Sequence, residues 1–384
     1  MKKKICIVVA PSFVLYILYR NQMAYLQENG FEVTAIASPG EEHQLLRDQG
    51  IKTYEISIIR EPSILQDLKS LAKLFWHFAT HRYDIVHVST PKAALLASIA
   101  ARLTFHQNVI YTIRGRAYEN FEGLKLKVFE FLECISCTLA SEVISISKEL
   151  GNDIVNKRLC PSRKMNIIGS GSGNGVDLNI FTPNKTLDYE ARNLREKLGI
   201  PSDALVILSM GRIRREKGIN ELVRVFEKIS EVEENVHLIL QGHYEDVDPL
   251  CDDVMKTIKT RANIHHIHFN RNANVTYAAS DILAFPSHRE GFGNVALEAS
   301  AMLLPIVSYN VIGCRESVSH NISGFLVEKE NENDLFNKLL LLINDKNLRD
   351  KMGKMGRKRI EAEFKSEVVW NGLIEFYNQL KQRK

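Results

Sequence analysis

Two short stretches of this chain carry residues able to act together. In residues 287–299, Glu290 and Glu298 stand eight positions apart, with Gly291, Phe292, Gly293 and Asn294 after the first of them. The apolar run 282–285 reads as a buried strand, Pro286 stops it, and helical sequence begins near Asn294. Glycines at a helix start let a ligand approach the backbone. The helix N-terminus adds N–H groups and a positive dipole end, which suit a diphosphate. Glu290 is then on the loop and Glu298 about one turn into the helix. Carboxylates beside a phosphate would repel it, so their natural partners are the hydroxyls of a sugar or a ribose. The second stretch is Gly211-Arg212-Ile213-Arg214-Arg215-Glu216-Lys217-Gly218. It follows the strand pattern 205–210 and precedes a helix near Asn220, where α/β folds place ligands. Arg212 and Lys217, five residues apart, reach one diphosphate from one loop. Fixed cations there stabilise the charge that develops on a diphosphate leaving group. They would do the work of a metal, so no metal and no cofactor are expected.

These stretches need a scaffold of parallel strands, and the chain reads that way. Apolar strand patterns at 5–10, 31–37, 53–56, 85–88, 109–113 and 143–147 alternate with helical ones, including 18–29, 64–81 and 93–103. Strands alternating with helices predict doubly wound parallel sheets. Residues 168–183 turn Gly- and Ser-rich, which marks a flexible boundary, and the alternation restarts at Leu205. The expected division is 1–182 and 183–364, with a last helix over 365–384 whose Trp370, Leu373, Ile374 and Tyr377 share a face. The run 121–135 has two readings. Phe121, Leu124, Val128, Phe131, Leu132 and Ile135 with Lys125 and Lys127 suit a membrane-contacting face. The added width from Leu126 and Phe129 suits core packing.

Composition excludes several classes. The chain has 384 residues, room for about two domains. The net charge of +4 lies wholly in the first half: residues 1–182 carry 21 Lys and Arg against 17 Asp and Glu, and the remainder 29 of each. That is too little for nucleic-acid binding, but it fits an anionic acceptor or membrane surface. Cys134 and Cys137 form one CxxC without a second pair, so zinc is not implied and a reducing, cytoplasmic compartment fits. Lys2–Lys4 before an apolar run resembles a signal peptide, but Pro11 and Ser12 interrupt it, and a first strand is the better reading. Asp246-Val247-Asp248 has the D-x-D form of a metal motif and is read as a solvated loop. His265, His266 and His268 are read as surface residues.

Glu290 and Glu298 resemble the E-x7-E motif of the family 4 retaining glycosyltransferases, which have the GT-B fold: two Rossmann-like domains facing each other across a cleft. Residues 211–218 resemble the family's G-R-x-x-x-E-K-G. Asn174-Gly175-Val176-Asp177 resembles its hinge, and Gly313, Glu316 and Gly324–Val327 its G-x-x-E…G-x-L-V tail. The resemblance implies that Arg212 and Lys217 bind the donor diphosphate, Glu290 the donor sugar and Glu298 the ribose, with Gly211, Gly291, Phe292, Gly293 and Asn294 lining the nucleotide. It implies a last helix crossing back to the first domain. Many members have a Gly-Gly loop where this chain has Pro11-Ser12-Phe13, and a His where it has Arg114, which would bind an acceptor phosphate or be structural. With Thr90 and Lys92, Ser12 and Arg114 make up the acceptor side in that picture. Residues 87–93 and 111–116 resemble bacterial members that build capsule or O-antigen on undecaprenyl-diphosphate carriers. The expected protein is a retaining transferase using a nucleotide-sugar, a UDP-sugar by preference, held peripherally at the inner face of the cell membrane. A GT-B nucleotide-sugar 2-epimerase and a non-catalytic glycan-binding GT-B protein are the alternatives.

Overall fold

The computed structural model describes residues 2–380 except 60, 62, 117, 120 and 271. It contains two compact units, one of residues 1–175 with 366–384, the other of residues 176–365.

The first unit is built on seven strands: β1 (Lys3–Val8), β2 (Phe31–Ala37), β3 (Lys52–Glu55), β4 (Ile85–Ser89), β5 (Asn108–Ile113), β6 (Glu142–Ser145) and β7 (Met165–Ile167). All pair in parallel, in the order β3-β2-β1-β4-β5-β6-β7. Both faces are covered by helices, so the central strands read as continuous apolar runs rather than alternating ones. The chain winds outward from β1 to β3, then crosses back to β4 and winds the other way. The order therefore reverses between β1 and β4.

The second unit repeats the plan with β8 (Leu205–Met210), β9 (Val236–Gln241), β10 (Ile264–Ile267), β11 (Ile282–Phe285), β12 (Ile306–Tyr309) and β13 (Gly324–Val327). The order is β10-β9-β8-β11-β12-β13, again all parallel. Its reversal falls between β8 and β11. The helix Ile219–Val232 shows how the sequence secures this sheet. Leu222, Val223, Phe226 and Ile229 recur at helical spacing and are fully buried against strand residues such as Ile207 and Leu238. Each such side chain contributes roughly 1.5–3 kcal/mol by leaving water.

Four expectations change. The single helix expected over 18–29 is two helices, Ser12–Leu18 and Gln22–Glu28. Asn21 breaks them by taking φ 59, a left-handed conformation that Asn tolerates better than most residues. The last helix spans Ser366–Gln379, and residues 381–384 lie outside the described residues. Lys365 is instead extended and bridges Val176. The Gly/Ser-rich segment 168–183 is pinned at Asn174, whose Oδ1 accepts from Trp370 Nε1 at 2.7 Å and Gln22 Nε2 at 3.2 Å, while its Nδ2 donates to the Arg20 carbonyl at 3.1 Å. The histidines at 265 and 266 are half-buried, with His265 stacked on His237 and joined to it at 2.9 Å. The helix 366–379 packs into the first unit, adding Leu373 and Tyr377 to the core around β1 and β2.

Candidate functional site

In the second unit, β8 and β11 are neighbours at the point where the strand order reverses. Ligands of open α/β sheets bind outside the carboxyl ends of the strands at such a point. The loops leaving these two strands are 211–218 and 286–293, the two stretches picked out above. A short 3₁₀ turn, Arg215–Lys217, ends the first loop at Gly218, which has φ 68. A Cβ on Gly218 would lie 1.9 Å from the Pro286 carbonyl oxygen, so only glycine lets the two loops touch.

Across that contact the side chains pair. Lys217 Nζ donates to Glu290 Oε1 at 2.5 Å and to Ser287 Oγ at 3.3 Å. Both members of the Lys217–Glu290 pair are about 15% exposed (15% and 16%), enough to be reached but little screened. Glu216 points the other way, accepting from Arg289 Nη2 at 2.8 Å and Nε at 3.1 Å and pairing with Arg214. Arg214 also donates to Glu245 Oε2 at 2.8 Å. Burial pushes the Glu216 carboxyl up, but Arg289, Arg214 and Lys217 outweigh it and leave it below the usual range. Glu245 behaves likewise: burial raises it, Arg214 and Arg212 lower it further. Both are therefore charged. Arg212 is held more loosely, 3.4 Å from each Glu245 oxygen, and its side chain is 42% exposed. Arg212, Arg214, Lys217 and Arg289 thus face Glu216, Glu245 and Glu290, a local surplus of one positive charge.

The rest of the predicted set divides. The helix Asn294–Ala301 starts at Gly293, and Glu298 lies inside it, accepting from Tyr277 Oη at 2.9 Å. Burial, reinforced by the Glu298 carboxylate, pushes the Tyr277 hydroxyl far up, so it stays a donor. Asn294 is exposed and Gly291 half-buried. Phe292 is buried and packs on Phe364 with ring centres 5.5 Å apart, so its side chain serves the core. Gly211 N donates to the Gln241 carbonyl at 2.9 Å, fixing the root of the first loop. Under the first loop, at the ends of β8, β9 and β11, lies a cavity of about 10 Å³ lined by Gly211, Arg212, Lys217, Leu240 and Phe285. It is too small for more than one water, so any diphosphate would lie on the outer side of the loops. A larger cavity of about 570 Å³ in the first unit lies at the starting ends of β5, β6 and β7, the wrong end of the sheet. Its two cations, Arg102 and Lys164, are spent on the carbonyls that end the helix Gly123–Leu139 and its cap.

The acceptor-side candidates gather at the reversal point of the first unit, between β1 and β4. Ser12 Oγ donates to Glu42 Oε2 at 2.7 Å, and both residues are buried. Thr90 Oγ1 accepts from Ala10 N at 3.3 Å, and Thr90 has φ 70, an outlier for a β-branched residue. Lys92 pairs with Asp67 at 2.6 Å and donates to the Glu61 carbonyl. Arg114 donates from Nε to Ser89 Oγ at 2.9 Å and sits 5.0 Å from the Tyr19 ring centre. Beneath it His87 bridges Tyr377 and Thr112. Burial and the Arg114 charge hold its pKa down at about 3, so it is neutral. Arg114 is thus built into this polar stack, which favours its structural reading.

Known proteins match both halves. The family model described as Glycosyltransferase Family 4 matches residues 18–179, and that described as Glycosyl transferases group 1 matches 190–359. A capsular polysaccharide biosynthesis glycosyltransferase, CapM, of Staphylococcus aureus is 33% identical over 362 residues, covering 94% of this chain and 93% of that one. This chain is a family 4 glycosyltransferase. An Escherichia coli UDP-Gal:alpha-D-GlcNAc-diphosphoundecaprenol alpha-1,3-galactosyltransferase is 27% identical, over 83% of this chain and 81% of that one. Among solved structures, a glycosyltransferase from Rickettsia africae superposes with a TM-score of 0.83 at 21% identity, covering 100% of each chain. Anabaena HepE, in complex with UDP and glucose, gives 0.81 at 20% identity, over 99% of this chain and 100% of that one. The fold is GT-B. Of the three functional classes left open by the sequence, membership supports the transferase.

Several residues of this glycosyltransferase escaped the sequence reading. Glu245 holds Arg212 and Arg214, and Arg289 holds Glu216; their partners are 31–33 and 73 positions away. The acidic run after β9 was the available signal. Asp248, half of the D-x-D form, accepts from Glu216 N at 2.8 Å, so its carboxylate shapes the first loop. Glu42 lies next to Ser12 only because β1 and β2 are paired.

Proposed function

We propose that this glycosyltransferase moves a sugar from a UDP-sugar, with retention of configuration, to a hydroxyl of an undecaprenyl-diphosphate-linked glycan in surface-polysaccharide synthesis. The observation that carries the donor half is the Lys217–Glu290 pair at the reversal point of the second sheet. A diphosphate arriving there competes for Lys217 and recruits the loosely held Arg212. Glu290, released from Lys217, accepts from a sugar hydroxyl. Glu298, oriented by Tyr277, accepts from the ribose. As the glycosidic bond breaks, negative charge grows on the leaving phosphate oxygens, and Lys217 and Arg212 stabilise it more than the ground state. The acceptor proton passes to a leaving phosphate oxygen on the same face, so no protein base and no metal are assigned. The acceptor half is supported by the names of the Staphylococcus and Escherichia relatives. A lipid carrier places the enzyme at the inner face of the cell membrane as a peripheral protein.

The test is incubation with a panel of UDP-sugars and an undecaprenyl-diphosphate-linked glycan, following UDP release and the anomeric configuration of the product by NMR. Release that depends on the lipid-linked acceptor, with the anomeric form kept, is expected. Inversion, or release that ignores the acceptor, overturns the reading.

A further inference from the structure

The loop 286–293 has two sides. Ser287 and Glu290 face Lys217, across the contact with the first loop. His288, between them in sequence, turns the other way. Its Nε2 lies 2.8 Å from Glu221 Oε1 and its Nδ1 3.6 Å from Glu330 Oε1. Glu221 stands in the first turn of the helix Ile219–Val232, and Glu330 in the segment after β13. The imidazole packs on the ring of Tyr309, at the end of β12, with centres 5.7 Å apart. The His288 backbone N donates to the Glu216 carbonyl at 2.9 Å. One residue therefore ties the loop after β11 to the loop after β8, to the helix that follows it, to β12 and to the segment after β13.

Protonation decides how that tie can hold. A neutral imidazole donates from one nitrogen and presents a lone pair on the other. Only imidazolium carries a proton toward both carboxylates. Glu221 fits a charged partner. Burial pushes its carboxyl up, but the bond from His288, its own amide and the charges of His288 and Arg224 outweigh burial and leave it below the usual range. Its second oxygen, Oε2, is buried with no hydrogen-bond partner. Loss of the imidazolium would thus leave an ionised, half-buried carboxylate without its nearest counter-charge, which is costly. The remaining charged groups around the ring are otherwise engaged. The Glu330 side chain is 60% exposed and lies 3.5 Å from Lys329. Glu332 pairs with Arg224 and Lys228. Burial pushes the Tyr309 hydroxyl far up, so it is neutral. On the His288 loop itself, Arg289 pairs with Glu216 and Glu290 with Lys217.

We infer that the His288 imidazolium, clamped between Glu221 and Glu330, is a positioning residue for Glu290, and that the transferase slows as rising pH removes its proton. The inference rests on the reading of Glu290 as a donor contact. With both ring protons present the clamp is closed. As pH rises through the imidazole titration one proton leaves, one carboxylate faces a lone pair, and the loop keeps only its backbone bond and the contact at Gly218. Glu290, two residues on, then loses its fixed place beside Lys217.

Two readouts test this on the full chain. Hydrogen–deuterium exchange of the 286–293 amides, by mass spectrometry without donor, reads the clamp. UDP release from a UDP-sugar, followed against pH, reads its consequence. The parent's kcat should fall on the alkaline side. His288→Gln keeps a donor but no charge: exchange of 286–293 should quicken at fixed pH, kcat should drop on the order of 10- to 10²-fold, the scale of a displacement of up to about 1 Å, and the alkaline fall should vanish. The donor KM, carried by Arg212 and Lys217, should move less. His288→Arg stays charged and has N–H groups for both carboxylates, so it should restore slow exchange and most of the rate without an alkaline fall. Glu330→Gln, at an exposed position that does not threaten the fold, should keep the rate at low pH and move the alkaline fall to lower pH. No alkaline fall in the parent, unchanged exchange in His288→Gln, a fall that persists in His288→Arg, or a profile indifferent to Glu330→Gln overturns the inference. Parental turnover in Glu290→Gln is a separate failure: it removes the donor reading of Glu290 while exchange still reports the clamp.

Discussion

Replacing Gly218 by alanine tests whether the touching loops make the site. Gly218 has φ +68, where an L side chain costs roughly 1–2 kcal/mol. The added Cβ would also lie 1.9 Å from the Pro286 carbonyl oxygen. Restoring an ordinary contact requires the loops to part by about 1.5 Å. That separation falls directly on the Lys217–Glu290 and Lys217–Ser287 bonds. A misplacement of about 1 Å can cost 10²-fold in rate, about 2.7 kcal/mol of transition-state stabilisation. The matched control is Gly199→Ala, at the end of the helix Lys185–Leu198, with φ +71 and nothing within 4 Å of the added atom. It carries the backbone strain alone. Nucleotide release from the donor and thermal melting are measured for both. Gly199→Ala should lower Tm by a few degrees and keep kcat/KM; Gly218→Ala should lower kcat/KM about 100-fold. If Gly218→Ala stays within threefold of the parent and melts like Gly199→Ala, the loop contact does not organise catalysis.

Three further outcomes are expected. Lys217→Ala and Glu290→Gln should each cut kcat by about 10²- to 10³-fold with unchanged circular dichroism, the scale for removing one oriented charge; near-parental turnover would sink their assignment. Activity should survive EDTA, and Asp246→Asn should be silent while Asp248→Asn lowers Tm, because Asp248 accepts the Glu216 amide; rescue of EDTA-treated enzyme by manganese or magnesium would reverse this reading. Glu133 is buried beside Tyr111, and burial raises its pKa from 4.5 to about 7, partly offset by the Tyr111 bond. The folded state therefore keeps a proton that the unfolded chain has lost, so stability is full below about pH 4.5 and falls as pH rises through 7. The fall amounts to about 3 kcal/mol, and Glu133→Gln should flatten Tm against pH between 5 and 8; parallel profiles would refute it.

The two loops after β8 and β11 were legible as candidates because the residues that mark them are local. A strand pattern, a glycine, two cations and a helix start occupy a few consecutive residues, as do Glu290 and Glu298. What joins the loops was not local. Lys217 meets Glu290 because β8 pairs with β11, 73 residues away, and nothing in either stretch encodes that pairing. The same limit hid Glu245, brought in by β9, and Glu42, brought in by β2. The break at Asn21 was missed because the apolar spacing runs across it, while a single backbone torsion decides it. The run 121–135 carried two readings, a membrane-contacting face and core packing. Hydrophobic periodicity locates an apolar face but does not say whether it points to a core or to the surroundings.

The helix Ser366–Gln379 gives the first unit an unusual order of assembly. Tyr377 contacts His87 in the heart of that unit, and Leu373 joins the same core. During synthesis these residues emerge only after 176–365 have been made, roughly 10–40 s later at about 5–20 residues per second. Until then the nascent first unit holds an open apolar slot, and His87 lacks one of its two side-chain partners. It must wait, incomplete, while the second unit, continuous in sequence, is free to finish first.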